Sequence, residues 1–235
     1  MNFKQELHEM ATELGADLFG VAPSSSLYGA PEGHRAEDIL PGAKSVIILA
    51  MKFLDTQVDI LPVMGQGNAF FGESSRQKMY AAHGGLVARH LDDVTFKLAR
   101  FIERKGYQAY FQMASEGGTD NRYLMGLLSL KHAAVNAGLG VFGMHSMIIT
   151  PQYGPRVRLA GIITNAELKS DNPLTKNFCD TCAQPCITQC PADALSVPIN
   201  SDPYTINKFS CCQYLGTRPA CAICLKVCPH GNSNK

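Results

Sequence analysis

The sequence predicts an α+β sandwich followed by a small cysteine-rich module, and three observations predict it. Segments with helical apolar spacing alternate with short apolar runs of strand length through residues 1–164. All nine cysteines lie at or after Cys179, so a cysteine-free body precedes them. Hydrophobic residues make up 46% of the chain and charged residues 17%, which supports a buried core and argues against disorder. The expected division is a core over residues 1–168 and a second domain over 169–235, with a polar linker at 165–178.

The elements follow in order. Residues 2–15 read as a helix, because Phe3, Leu7, Met10 and Leu14 recur at helical spacing and Gly15 can stop it. Residues 17–21 read as a strand ending at Ala22-Pro23, and 24–43 as loop. Residues 45–53 form a strand whose unbroken apolar run suits a central position covered on both faces. A glycine-rich loop at 55–75 carries Phe70 and Phe71. Helical spacing then runs from about 76 to 105, with Gly84-Gly85 as a point where it can kink or break. Strands are expected at 107–113, 147–150 and 158–164, and a helix at 127–137 that stops at Gly138-Leu139-Gly140.

A net charge of +1 argues against a general nucleic-acid or membrane-surface binder. The longest apolar run, 46–51, is far short of the roughly 18 residues that span a bilayer. The N-terminus lacks the h-region and cleavage site of a secretory signal, so the expected compartment is the cytoplasm. Cysteines crowded into one end also argue against a secreted disulfide scaffold.

Cysteine spacing carries the chemistry. The first array is Cys179-x2-Cys182-x3-Cys186-x3-Cys190-Pro191; the second is Cys211-Cys212, then Cys221-x2-Cys224-x3-Cys228-Pro229. A [4Fe–4S] cluster takes one thiolate per iron, and a terminal Cys-Pro sends its thiolate to the other cluster. Cys179, Cys182, Cys186 and Cys228 are therefore expected to hold one cluster. Cys190, Cys221, Cys224 and either Cys211 or Cys212 hold the other. Paired zinc sites would use CxxC pairs without a third cysteine or the two Cys-Pro endings. The first array has one residue more than usual between its second and third cysteines, in Ala183-Gln184-Pro185, and Pro185 is expected to absorb it in a turn.

The chain resembles the cobalamin-dependent epoxyqueuosine reductases and, more distantly, the respiratory reductive dehalogenases. Residues 15–22 are similar to that family's opening "LGF…GV" strand, and Leu40-Pro41-Gly42-Ala43-Lys44-Ser45-Val46 to its "PGA(R/K)SVI" strand entry. The run from Ala137 through Gly138-Leu139-Gly140-Val141-Phe142-Gly143-Met144-His145-Ser146 is similar to "AGLGWxGKHS". Cys211-x2-Tyr214-Leu215 is similar to "CxxYLT", which favours Cys211 over Cys212 as the ligand. The resemblance implies a nitroreductase-like core that cradles cobalamin and a ferredoxin-like second domain whose two clusters feed single electrons to cobalt. It also implies that Gly138, Gly140, Gly143, His145 and Ser146 line the corrinoid site. Two positions depart from the family: its general-acid Asp is Leu124 here, and its Lys in "GKHS" is Met144. The family's C-terminal repeat domain used for tRNA is not in this sequence, so a tRNA substrate is not expected.

Other candidates have competing readings. Asp120 is the first choice for a proton donor near cobalt, ahead of Glu116 and Tyr123, although a turn or N-cap role fits Asp120 as well. His132 reads as a packed histidine. Tyr80 and His83 stand near the start of the long helix, and packing is favoured for the tyrosine. Arg156 and Arg158 could bind an anionic group or be solvated at a strand edge. The expected function is transfer of single electrons from two clusters to bound cobalamin, reducing a small substrate and drawing on a low-potential donor of ferredoxin or flavodoxin type. The alternatives are an electron-transfer protein that reduces a partner's corrinoid, and a redox sensor using Cys212. No membrane partner is expected, and a homodimer stays open.

Overall fold

The computed structural model describes residues 2–61, 73–115, 124–197 and 206–231. Its elements are α1 Phe3–Glu13, β1 Leu18–Pro23, α2 Ala36–Ile39, β2 Ser45–Lys52, α3 Asp55–Asp59, α4 Glu73–Arg104, β3 Ala109–Gln112, α5 Leu130–Asn136, β4 Val141–Phe142, β5 Ile148–Ile149, β6 Val157–Thr164, α6 Pro185–Thr188, α7 Lys208–Gly216 and α8 Ile223–Lys226. Single 3-10 turns add Ser24–Leu27 and Pro229–Gly231. The mixed helix and strand composition expected from the sequence is present.

Contacts divide the chain into two units. The first gathers Met1–Lys52, Val87–Gly140 and Arg158–Thr175, and is built on a four-stranded sheet in the order β1-β2-β6-β3. The outer pairs are antiparallel, Leu18 facing Ala50 in one and Ala109 facing Thr164 in the other. The inner strand β2 has Val46 through Ala50 fully buried, as its unbroken apolar run predicts. Helix α1 starts in a capping box: the Asn2 side chain accepts from the Gln5 N–H and the Gln5 side chain from the Asn2 N–H, both at 3.0 Å. It buries Leu7 and Ala11 completely.

Helix α4 continues through Gly84-Gly85 for 32 residues without a break. Each interior glycine costs about 1 kcal/mol relative to alanine. Beyond them the stripe Leu91, Val94, Leu98 and Ile102 is buried at spacings of three to four, which outweighs that cost.

The second unit gathers Phe53–Leu86, Val141–Val157 and Lys176–Lys235. It holds the β4–β5 hairpin, with Val141 facing Ile149, together with α3, the beginning of α4 and every cysteine. Around Phe53, the rings of Tyr80 and His83 pack at 6.0 and 5.8 Å between centroids. His83 Nε2 accepts the Leu54 N–H at 3.1 Å, so both residues serve the packing of this corner.

At the unit's centre lies Arg156, completely buried. Its guanidinium donates to Asp55 at 3.0 Å and Asp59 at 2.7 Å, both on α3, and to the Lys226 carbonyl on α8 at 3.5 Å. The Lys226 ammonium donates to the Leu61 carbonyl. A Cβ on Gly231 would stand 2.9 Å from Arg156 Nε, and one on Gly154 only 2.1 Å from the His230 carbonyl, so both positions require glycine. Arg156 is therefore an internal tie, not a solvated strand-edge residue. Arg158, in the first unit, is half-buried and donates Nε to the Ala114 carbonyl at 3.0 Å.

Candidate metal centre

Two arrays of cysteine on short helical turns create the site. Residues 177–182 wind around Cys179, whose N–H donates to the Asn177 side chain at 3.0 Å. The extra residue of the first array is absorbed as the sequence anticipated. Gln184 takes the left-handed conformation, φ 55° and ψ 46°, and Pro185 starts α6 directly after it. Proline suits that first helical position, where its fixed φ is useful and its missing N–H costs nothing. In the same turn the Gln184 N–H donates to Cys182 Sγ at 3.4 Å. The second array begins on α7, capped by Asn207, whose side chain accepts the Ser210 N–H at 3.1 Å. It ends at the turn after Cys228. There His230 Nε2 bonds the Phe178 carbonyl at 2.8 Å while the two rings pack at 5.2 Å, joining the end of one array to the start of the other.

The thiols fall into two neighbourhoods. Burial pushes Cys186 up to about 11, reinforced in order by the nearby charges of Cys228, Cys179 and Cys182. Cys228 is likewise pushed up to about 11, by burial first and then by Cys179 and Cys182. Cys211 is raised by burial and by Cys221, Cys190 and Cys212. Cys224 is raised by burial, then by Cys221 and Cys211, and also by Cys186 and Cys190. These couplings agree with the two quartets expected from the spacing, Cys179, Cys182, Cys186 and Cys228 in one and Cys190, Cys211, Cys221 and Cys224 in the other. The pair Cys186 and Cys224 links the two. Cys212, beside Cys211, is exposed. Among the described residues no three Cys, His, Asp or Glu side chains converge as they would around a single ion.

Backbone N–H groups converge on the sulfurs. Ala194 donates to Cys190 Sγ at 3.4 Å. Met144, Ile187 and Ile223 donate to Cys179, Cys186 and Cys221, and His230 and Gly231 to Cys228; these bonds hold down thiol pKa values that burial otherwise raises. With the Gln184 bond to Cys182, six of the eight thiols receive an N–H, including all four of the first quartet. Paired thiolate quartets supplied with N–H donors fit the ligand chemistry of two iron–sulfur cubes, whose potentials are tuned by such bonds.

The residues expected around a corrinoid behave differently. Gly138 ends α5 with φ +71°, and a Cβ there would sit 2.4 Å from the Asn172 carbonyl; its glycine answers a helix stop and a close backbone crossing. At Gly143 a Cβ would meet the His145 ring at 2.6 Å and Ile149 at 2.7 Å. His145 and Ser146 are buried, at 2% and 0% exposure, and His145 Nδ1 accepts the Met147 N–H at 3.1 Å. Both side chains are thus packed inside the second unit. Met144, at the position of the family lysine, packs on the apolar group of Ile149, Phe178, Cys179 and Cys228.

Asp120, Glu116 and Tyr123 lie outside the described residues, as do Phe70 and Phe71. On either side of 116–123 the chain is held by polar side chains that the sequence reading did not single out. Asp92 accepts the Ala114 N–H at 2.5 Å and also binds the Ser115 hydroxyl. Gln112 exchanges two bonds with the Leu128 backbone, at 2.8 and 3.0 Å. Leu124 has φ +50°, uncommon for a branched side chain. His132 Nδ1 lies 2.8 Å from the Ser129 hydroxyl, and burial lowers its pKa, as expected of a packed histidine.

No family model matches the chain. It is 30% identical to an epoxyqueuosine reductase of Gloeobacter violaceus over 81% of this chain and 53% of that protein. Against the epoxyqueuosine reductase of Bacillus subtilis it is 26% identical, over 96% and 63%. Against a tetrachloroethene reductive dehalogenase of Sulfurospirillum multivorans it is 34% identical, over 58% and 28%. A crystal structure of an epoxyqueuosine reductase matches with a TM-score of 0.67 at 22% identity, covering 98% of this chain and 66% of that one. A catabolic reductive dehalogenase in complex with 3-bromo-4-hydroxybenzoic acid matches at 0.69 and 21%, covering 97% and 32%. The chain thus spans about a fifth to two thirds of the length of these relatives, and the structural matches speak to fold alone.

Proposed function

The chain is a homologue of the epoxyqueuosine reductases and of the reductive dehalogenases, and from that premise we propose that it is an iron–sulfur oxidoreductase carrying two [4Fe–4S] clusters. It takes single electrons from a low-potential carrier of ferredoxin or flavodoxin type and passes them to a cobalamin, which reduces a small substrate. In this reading residues 1–168 are a nitroreductase-like, corrinoid-binding core and 169–235 a ferredoxin-like domain. One cluster is held by Cys179, Cys182, Cys186 and Cys228, the other by Cys190, Cys211, Cys221 and Cys224. The observation that carries the reading is the pairing of two thiol quartets, six of whose sulfurs receive backbone N–H groups.

Cobalamin rests on homology, one relative's structure having been described with a mechanism for B12-dependent dehalogenation. Buried His145 and Ser146 and the apolar setting of Met144 favour a second reading, in which the corrinoid or other redox cofactor belongs to a partner protein. Anaerobic reconstitution with iron, sulfide and cobalamin, followed by gel filtration, separates the two. Co-elution of corrinoid absorbance with the protein supports the first reading. Iron without retained corrinoid rejects it and leaves the second.

A further inference from the structure

The sheet of the first unit has two edges, and they are finished differently. At β1 the edge is covered: Val21 donates its N–H to the Asp171 carboxylate at 2.9 Å, and its carbonyl accepts the Asp171 N–H at 2.8 Å. At β3 the edge is open. The Thr164 carbonyl accepts the Lys44 N–H at 2.9 Å, so Thr164 on β6 turns its backbone toward β2. In an antiparallel ladder both polar groups of a residue point the same way, and the direction alternates along the strand. Ala109 faces Thr164 and Phe111 faces Ile162, so these two turn their N–H and C=O groups away from β6, off the end of the sheet. Tyr110 and Gln112 make the ladder bonds. Gln108 keeps the alternation, its carbonyl accepting the Thr164 hydroxyl at 2.7 Å on the β6 side. Among the described residues no bond reaches the outward groups of Ala109 and Phe111.

An apolar stripe runs along the open edge. Phe111 packs on Phe96 of α4 at 5.6 Å between centroids, and Tyr107 on Phe3 of α1 at 5.4 Å. Alternation puts Tyr107, Ala109, Phe111 and Met113 on that one face, whereas the Gln112 side chain bonds the Leu128 backbone on the other. Tyr107 is 41% exposed, Met113 36% and Phe96 44%.

Open edges are ordinarily guarded by lysine, proline, a bulge or a covering segment. Residues 106–115 contain no Asp, Glu, Lys, Arg or Pro. Charges beside the stripe are of both signs. Lys105 pairs with Glu6 at 2.8 Å and Lys97 with Asp93 at 2.6 Å. Arg100 lies 5.7 Å from the Phe96 centroid, and Glu103 and Arg104 stand at the end of α4. Asp92 and Arg158 are tied to the Ala114 backbone. An identical edge therefore meets no single-sign barrier.

The edge is also self-complementary. Antiparallel pairing about a two-fold axis at Tyr110 sets Ala109 opposite Phe111 of a second copy, a small residue against a bulky one, and each such pair exchanges both backbone bonds. Tyr110 then meets its own counterpart in the closer, non-hydrogen-bonded pair. The same register lays exposed Tyr107 against exposed Met113 of the other copy. We propose that β3 pairs in this way with β3 of a second copy of the chain, joining the two sheets into one.

The test uses the full chain prepared without oxygen. Sedimentation equilibrium is expected to give twice the mass of one chain, falling on dilution. In the dimer the Ala109 and Phe111 amides are expected to exchange at least about 10-fold more slowly than in the diluted protein, while those of Tyr110 and Gln112, bonded to β6, are slow in both. Ala109→Pro removes an outward N–H without touching the β6 ladder, at an edge position where proline is tolerated. It is expected to sediment as a single chain with the amides of β1, β2 and β6 as protected as in the parent. A parent that stays a single chain at the highest soluble concentration overturns the pairing. So does a dimer whose Ala109 and Phe111 amides exchange freely, or an Ala109→Pro protein that dimerises as the parent does. If Ala109→Pro does not fold, the exchange pattern of the parent alone decides.

Discussion

Replacing Arg156 with methionine tests the internal tie of the second unit. The guanidinium has no solvent exposure, while its partners Asp55 and Asp59 are 23% and 41% exposed. Removing one member of a fully buried ion pair costs about 3–5 kcal/mol, mostly because a charge is left stranded. Here the stranded carboxylates keep part of their water, which brings the expected loss to about 2–3 kcal/mol; methionine retains the packing of the stem. For a chain of this size that corresponds to a fall in Tm of roughly 5–10 °C. Asp59→Asn is expected to cost under about 1 kcal/mol, because Asp55 still pairs and Asp59 is the wetter partner. Adding Asp55→Asn to Arg156→Met is expected to recover part of the loss, since one stranded charge disappears. The assay is anaerobic urea unfolding followed by circular dichroism, with hydrogen exchange on 223–231 as the local readout. The reasoning is refuted if Arg156→Met lies within about 0.5 kcal/mol of the parent, or if the double variant is no more stable than the single one.

Three further outcomes follow from the same geometry. Gln184→Val places a β-branched residue at φ 55° and is expected to destabilise by about 1 kcal/mol or more and lower iron retention, whereas Gln184→Gly retains iron; equal retention by both removes the turn's role. His83 has a pKa lowered by burial, so its folded value lies below its unfolded one: its contribution is full above about pH 6.5 and is lost as pH falls toward the folded value. His83→Gln should flatten that part of the stability curve, and an unchanged curve contradicts it. Stripping iron with a chelator under anaerobic conditions should raise hydrogen exchange across 206–231 while the strands β1, β2, β6 and β3 stay protected; simultaneous loss of the sheet would show that the two units depend on the metal together.

What the sequence disclosed depended on how local each signal was. Strand β2 was legible because six of its seven consecutive buried residues, 46–51, form an unbroken apolar run. The proposed quartets come from a local signal too, the cysteine spacing and the two Cys-Pro endings. Even the extra residue at Gln184 was legible, since Pro185 announces a turn. Arg156 was not, because its partners Asp55 and Asp59 are about a hundred positions away and were read as loop. Nor were Asp92 and Gln112, whose bonds to Ala114 and Leu128 join helix and strand to chain that is distant from Asp92 and hidden in the same count of polar residues. Gly138 and Gly143 show the converse: a glycine-rich run marks close approach, but the approaching atoms belong to Asn172, His145 and Ile149 of this same chain.

The most direct test is the iron and acid-labile sulfide content of protein prepared without oxygen, read alongside low-temperature electron paramagnetic resonance after dithionite reduction. The account predicts about eight iron and eight sulfide per chain and a signal from two interacting [4Fe–4S] clusters in the 1+ state. Zinc in place of iron, or iron near four per chain with one isolated cluster, contradicts it.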